Sequence, residues 1–193
     1  MKVIRFVGIG ELESLVKNGK IEPLHCVWHG GYWTGNKKAK PVLWFFPFAS
    51  DEDVRLNRKP YVSYRELAHG LDSPLDRLQY VSGVVDDVQV AEGDNIRYVS
   101  ICLHLNLPRK LLVRDSIEYA DPEGAFFDRT LVDEFLLYSP YSTSAVRGVE
   151  LYYTYETTPS KALIGSFRKP SEALNYLTSR TKVIKRPRDR RTA

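Results

Sequence analysis

The sequence predicts an α+β fold: a single domain with a mostly antiparallel β-sheet, continuous or split, and a few short helices. Three observations lead there. The apolar runs are short, dominated by β-branched and aromatic residues, and punctuated by turn-forming Gly, Pro, Asn and Asp. Helical signals are few and brief. The length of 193 residues, 43% of them hydrophobic and 12% aromatic, suffices for a substantial core, most simply one.

Val3 to Val7 reads as the first strand, followed by Gly8 and Gly10 and then a helix whose Leu12, Leu15 and Val16 share a face. Gly19, directly after Asn18, ends that helix as a left-handed cap would. From Ile21 to Lys40 histidine, tryptophan, glycine and lysine alternate without clean periodicity, which indicates a long loop or a short irregular hairpin. Its part from Glu22 to Lys40 is expected to rim the functional cleft. Pro41 to Phe48 is a buried strand bracketed by prolines. A helical region is expected from Tyr64 to Tyr80, broken near Asp72-Ser73-Pro74, where the proline opens a second short helix.

Strands follow at Val81 to Val90 and Tyr98 to Leu105, with Glu92-Gly93-Asp94-Asn95 as the turn between them. Asn106-Leu107-Pro108 ends the second strand, and Leu111 to Val113 reads as a short continuation. Asp121-Pro122-Glu123-Gly124 is a further turn. Strands near Leu131 to Tyr138, Val146 to Tyr155 and Ala162 to Phe167 precede a helix from Ser171 to Thr178, with Ser171 as its cap. There is no internal repeat.

The function classes narrow by elimination. No window holds the roughly 18 uninterrupted apolar residues of a membrane span. The start Met1-Lys2-Val3-Ile4-Arg5-Phe6 puts an arginine where a secretion signal needs an apolar core, so a cytoplasmic protein without a membrane partner is expected. Cys26 and Cys102 lack CxxC spacing and read as buried thiols. No GxxxxGK[ST] loop exists, and Gly8-Ile9-Gly10 lacks the third glycine of a dinucleotide fingerprint. His25 and His29 are four apart, but Pro23 and Gly30-Gly31 argue against a helix there and no acid lies at ligand spacing, so no metal is expected. Asp86-Asp87 lacks the acid-x-lysine partner of a nuclease on the next strand, Tyr98 to Cys102.

The net charge of +4 is unevenly placed. Residues 180–193 carry seven of the 28 basic residues and one of the 24 acids, which leaves 21 basic and 23 acidic residues in 1–179. Residues 1–179 therefore read as the domain and 180–193 as an extended basic tail. Its Arg180, Lys182, Lys185, Arg186, Arg188, Arg190 and Arg191 would neutralise phosphates of DNA or RNA.

One pattern remains: Arg5 on the first strand, the aromatic strand Trp44-Phe45-Phe46-Pro47-Phe48-Ala49-Ser50, and Glu134 near the start of a late strand. Its order and spacing resemble the three-part signature of the ADP-ribosyltransferase fold, and more narrowly its DarT-like, nucleic-acid-modifying branch. The opening strand and the helix Gly10 to Ile21 fit that branch. So does the later run from Glu134-Phe135-Leu136-Leu137-Tyr138-Ser139-Pro140 through Ala145-Val146-Arg147-Gly148-Val149. The similarity covers about residues 2–156.

The resemblance implies NAD as a substrate. Arg5 would grip its pyrophosphate, since a guanidinium pairs with phosphate through charge-assisted hydrogen bonds. Ser50 would orient the nicotinamide side, and Phe45, Phe46 or Tyr61 would stack on a ring. Glu134 would be the catalytic acid residue, accepting a hydrogen bond from the nicotinamide ribose and stabilising the positive charge that develops as nicotinamide leaves. Two positions depart from the pattern: Val132 stands where arginine-modifying members carry Gln or Glu, and Arg5-Phe6-Val7-Gly8 replaces the histidine motif of DarT-like chains. The acceptor, nucleic acid or protein, stays open. The alternative from another class is a non-enzymatic nucleic-acid- or protein-binding accessory factor of a virus or mobile element, for which the basic tail, twelve tyrosines and Trp28, Tyr32 and Trp33 speak. A nuclease is a third, weaker reading.

Overall fold

A computed structural model describes residues 1–29, 32–47, 88–92, 95–119, 130–153, 163–180 and 182–184. In chain order, β1 (Lys2–Val7) leads into α1 (Ile9–Asn18), β2 (Lys20–Ile21), β3 (Leu24–His29), β4 (Tyr32–Gly35) and β5 (Pro41–Pro47). Next come β6 (Val88–Glu92), β7 (Asn95–Asn106), β8 (Val113–Tyr119) and β9 (Thr130–Leu137). β10 (Tyr141–Ser142), β11 (Val146–Tyr153), β12 (Leu163–Phe167), α2 (Pro170–Arg180) and β13 (Lys182–Ile184) follow. Every pairing among the described strands is antiparallel, which makes the fold α+β.

The twelve-residue β7 organises the main sheet. Its first half pairs with β6 and its second half with β1 along one edge, while β11 runs along the other. The main path is β12-β11-β7-β1-β5-β3-β4, with β8-β9 branching from β5 and β13 from β6. The short ribbon of β2 and β10 lies apart.

Alternation along the central strands sends Val3 and Val7, Ile101, Leu103 and Leu105, and Val149 and Leu151 into one core with Leu12 and Leu15 of α1 and Ala173 and Leu177 of α2. Each of these larger side chains contributes about 1.5–3 kcal/mol through burial. Val16, expected on the buried face of α1, is instead exposed. Gly19 closes α1 in the left-handed region (φ 70°), its N–H donating to the Leu15 carbonyl at 3.2 Å. Thr143 completes this end: its N–H donates to the Gly19 carbonyl at 2.8 Å, and its Oγ1 donates to the Leu15 carbonyl at 3.1 Å.

Of the two expectations for the stretch from Ile21 to Lys40, the structure has the hairpin: β3 pairs with β4, and Leu24 and His25 of β3 pair with β5. Other elements differ between sequence and structure. β7 is longer than expected, and Leu111 ends a 3-10 turn, so no strand continues there; β8 begins at Val113. Helix α2 starts at Pro170, where a missing N–H costs nothing, and Ser171 is not its cap. Glu172 takes that part, accepting the backbone N–H groups of Arg168 and Lys169 at 3.1 and 3.3 Å. Lys182–Ile184 pairs with β6, Val183 opposite Val90, so the chain is part of the sheet through Ile184. The helical region at 64–80, the strand from 81 to 87, Asp86 and Asp87, and the remaining tail from Lys185, with Arg186, Arg188, Arg190 and Arg191, lie outside the described residues.

Candidate functional site

Arg5 sits between Val3 and Val7 on the core-facing side of β1 and is 1% exposed. A charge so placed must be paired, because desolvating a lone guanidinium is prohibitive. Its Nη2 donates to Glu11 Oε1 at 2.8 Å, and its Nη1 donates to the Trp44 carbonyl at 2.9 Å. The Trp44 ring lies 4.4 Å from Cζ, a cation–π contact strengthened by burial. Helix α1 and strand β5 thus both close on the first strand through one side chain. Tyr141 adds its hydroxyl beside the ion pair. Burial pushes the Tyr141 phenol well above its ordinary value, and the Arg5 charge only partly offsets this.

The strand order brings together the three segments that the sequence pattern joins. β1 pairs with β5 through Val3 opposite Pro47 and Ile4 opposite Phe46, and β5 pairs with β9 through Phe45 opposite Phe135. Glu134 stands one register position from that pair, opposite Asp115 of β8, and so at a position on the alternate face of the pleat from Phe135. Phe45 is wholly buried, its ring meeting Tyr141 edge-on at 5.6 Å, so it is a core residue. Ser50 and Tyr61 lie outside the described residues, and Lys182 is placed on β13. His25 has a structural role: its Nδ1 is 2.8 Å from the Ala39 carbonyl, which braces the end of the β3–β4 hairpin.

No family model, curated protein or solved structure matches the chain. Its chemistry is therefore read from its own side chains.

A second polar group lies on the opposite face of the sheet and has no counterpart in the sequence pattern. His104 of β7 meets Glu150 of β11, Nε2 to Oε2 at 2.8 Å. Tyr152 donates its hydroxyl to the same carboxylate oxygen, and Ser166 of β12 donates to Oε1 at 3.4 Å. Burial opposes protonation of His104, yet hydrogen bonds to Cys102 and Glu150 outweigh it and raise the imidazole to about 10. The bond from His104, assisted by that from Tyr152, holds Glu150 below the usual carboxylate range. Burial and then the bond to Glu150 raise the Tyr152 phenol. At neutral pH this is an imidazolium–carboxylate pair that ties three adjacent strands together. Local sequence carries no signal for it: His104 and Glu150 are 46 residues apart and meet only because Cys102 pairs with Glu150 in register.

Proposed function

We propose that the chain is an NAD-dependent ADP-ribosyltransferase-like protein acting on a nucleic acid or protein target. The observation that carries this reading is the adjacency of β1, β5 and β9, which makes the strands bearing Arg5, the aromatic run and Glu134 consecutive neighbours. In this reading Arg5 supplies the fixed positive charge for the pyrophosphate of NAD. Its guanidinium is oriented in advance by the Trp44 carbonyl and ring, so little entropy is lost when a phosphate docks. Phe45 holds β5 in the core, Phe46 and Tyr61 take the ring-stacking role, and Ser50 orients the nicotinamide side. Glu134 stabilises the oxocarbenium-like ribose as nicotinamide departs, a negative charge set where positive charge develops. No metal enters the reading.

Glu134→Gln keeps the shape of the side chain and removes its charge. Transfer of labelled ADP-ribose from NAD to DNA, RNA or protein acceptors is expected in the wild type and absent in the variant, with the melting temperature nearly unchanged. Equal transfer by both would remove Glu134 from the chemistry.

A second reading, a non-enzymatic binding factor, is favoured by the β3–β4 hairpin. Its register sets Trp28 opposite Trp33 and His29 opposite Tyr32 at the end of the strand order, with exposed Lys37 and Lys38 just beyond. Aromatic residues beside cations suit single-stranded nucleic acid. Oligonucleotide binding without NAD turnover would favour it.

A further inference from the structure

The guanidinium of Arg5 is held from two elements that differ in kind. Trp44, 8% exposed, belongs to the core strand β5 and supplies a carbonyl at 2.9 Å and a ring at 4.4 Å. Glu11 belongs to the first turn of α1, and its side chain is 21% exposed. The N-cap of that helix is Gly8, with no side-chain cap, and a Cβ built on Gly10 would meet nothing within 4 Å. Glu11 is therefore the solvent-facing member of the ion pair. Glu11 Oε1, 2.8 Å from Nη2, stands where an oxygen of a bound phosphate would stand. Beside it, the fully buried Tyr141 hydroxyl finds no acceptor for its proton among the described residues.

We propose that Arg5 and Tyr141 form an anion site of the phosphate or pyrophosphate class, and that Glu11 is its built-in competitor. In the ligand-free protein the carboxylate neutralises the buried guanidinium. A phosphate displaces it by turning the Glu11 side chain outward into solvent, then accepts from Nη2 and from the Tyr141 hydroxyl. The inference rests on the reading of Arg5 as the pyrophosphate-gripping residue. It adds that affinity is set by competition with Glu11, which lowers occupancy by mononucleotide-sized anions and reserves the site for ligands held at further points elsewhere.

Calorimetry with inorganic pyrophosphate and with NAD tests it. Glu11→Gln keeps an acceptor oxygen for Arg5 but removes the competing charge, and should bind both probes about tenfold more tightly than the wild type, the equivalent of one charge-assisted hydrogen bond. The gain should vanish when Arg5→Met is added. Should Glu11→Gln fold poorly, Glu11→Asp keeps the charge on a shorter arm and should show a smaller gain of the same sign. Equal NAD affinity in wild type and the Glu11 variants, with Arg5→Met still weakening it, overturns the competitor role and leaves the transferase reading standing. Tighter pyrophosphate without NAD binding upholds the anion site and overturns the transferase reading. Binding of neither probe to any form overturns both.

Discussion

Arg5 and His104 are each paired with a carboxylate, and the difference between them lies in exposure. Arg5 is 1% exposed, so in the ligand-free protein its pair with Glu11 offsets the desolvation of the guanidinium. The His104 side chain is 22% exposed, and its pair with Glu150 tunes stability with pH. The sign follows from the direction of each shift. His104 rises from 6.5 to about 10, so its contribution is fully present below about 6.5 and lost as pH climbs through about 10. Glu150 is lowered, so its contribution is present above the ordinary carboxylate value and lost only as pH falls below it. His104→Gln is expected to destabilise the protein by about 1–3 kcal/mol at neutral pH, because Glu150 loses its charged donor. Melting curves of both proteins across the alkaline range check this: the gap should narrow toward pH 10. A constant gap would mean that packing alone is responsible. Neither pair is legible in the sequence. Arg5 draws notice as a charge in an apolar run, but its partner Glu11 reads as an ordinary acid of a helix's first turn.

Among the elements, those with a local signal are readable and those defined by pairing are not. The run Val3 to Val7, the helix ending at Gly19, the prolines around Trp44 and the late strand through Leu137 all follow from side-chain pattern, and the structure has them. β8 escapes such a reading because Arg114, Asp115 and Glu118 interrupt its apolar residues; it exists through its full register with β9. The hairpin β3–β4 is legible only as an alternative to a long loop, since glycines and lysines break its alternation and its pairing is chiefly to itself. That isolation has a consequence for motion. Among the described residues the hairpin joins the rest of the sheet through Leu24 opposite Val42 and His25 opposite Pro41, whereas β1 has six register partners on β7. Amides of β3 and β4 should therefore exchange faster than those of β1 and β7, as local opening breaks little of the sheet. Hydrogen exchange followed by mass spectrometry reads this directly, and equal protection would mean that the hairpin is anchored elsewhere.

At the scale of the molecule, the question is how a body near neutrality carries a basic end. The charge of residues 180–193 points to an arm separable from the fold, but composition cannot show where such an arm leaves the sheet. Val183 is the decisive residue: as an apolar position between Lys182 and Ile184 it pairs opposite Val90, whose side chain is fully buried in the core. Helix α2 delivers the chain to that edge, so β13 covers β6, which would otherwise end the sheet on that side with unpaired backbone groups. Two truncations separate sheet from arm. Removing 185–193 takes away Lys185, Arg186, Arg188, Arg190 and Arg191 and should leave the melting temperature unchanged. Removing 182–193 also strips β13 and should lower stability by about 1–3 kcal/mol through the unpaired backbone groups left on β6. If the arm meets nucleic acid, both truncations should weaken binding and flatten its salt dependence, by roughly one unit of log–log slope for each phosphate that the removed cations had neutralised. Unchanged slope with the shorter truncation would show that the five cations have no phosphate partner. Unchanged stability with the longer one would show that β13 lies on the sheet without holding it.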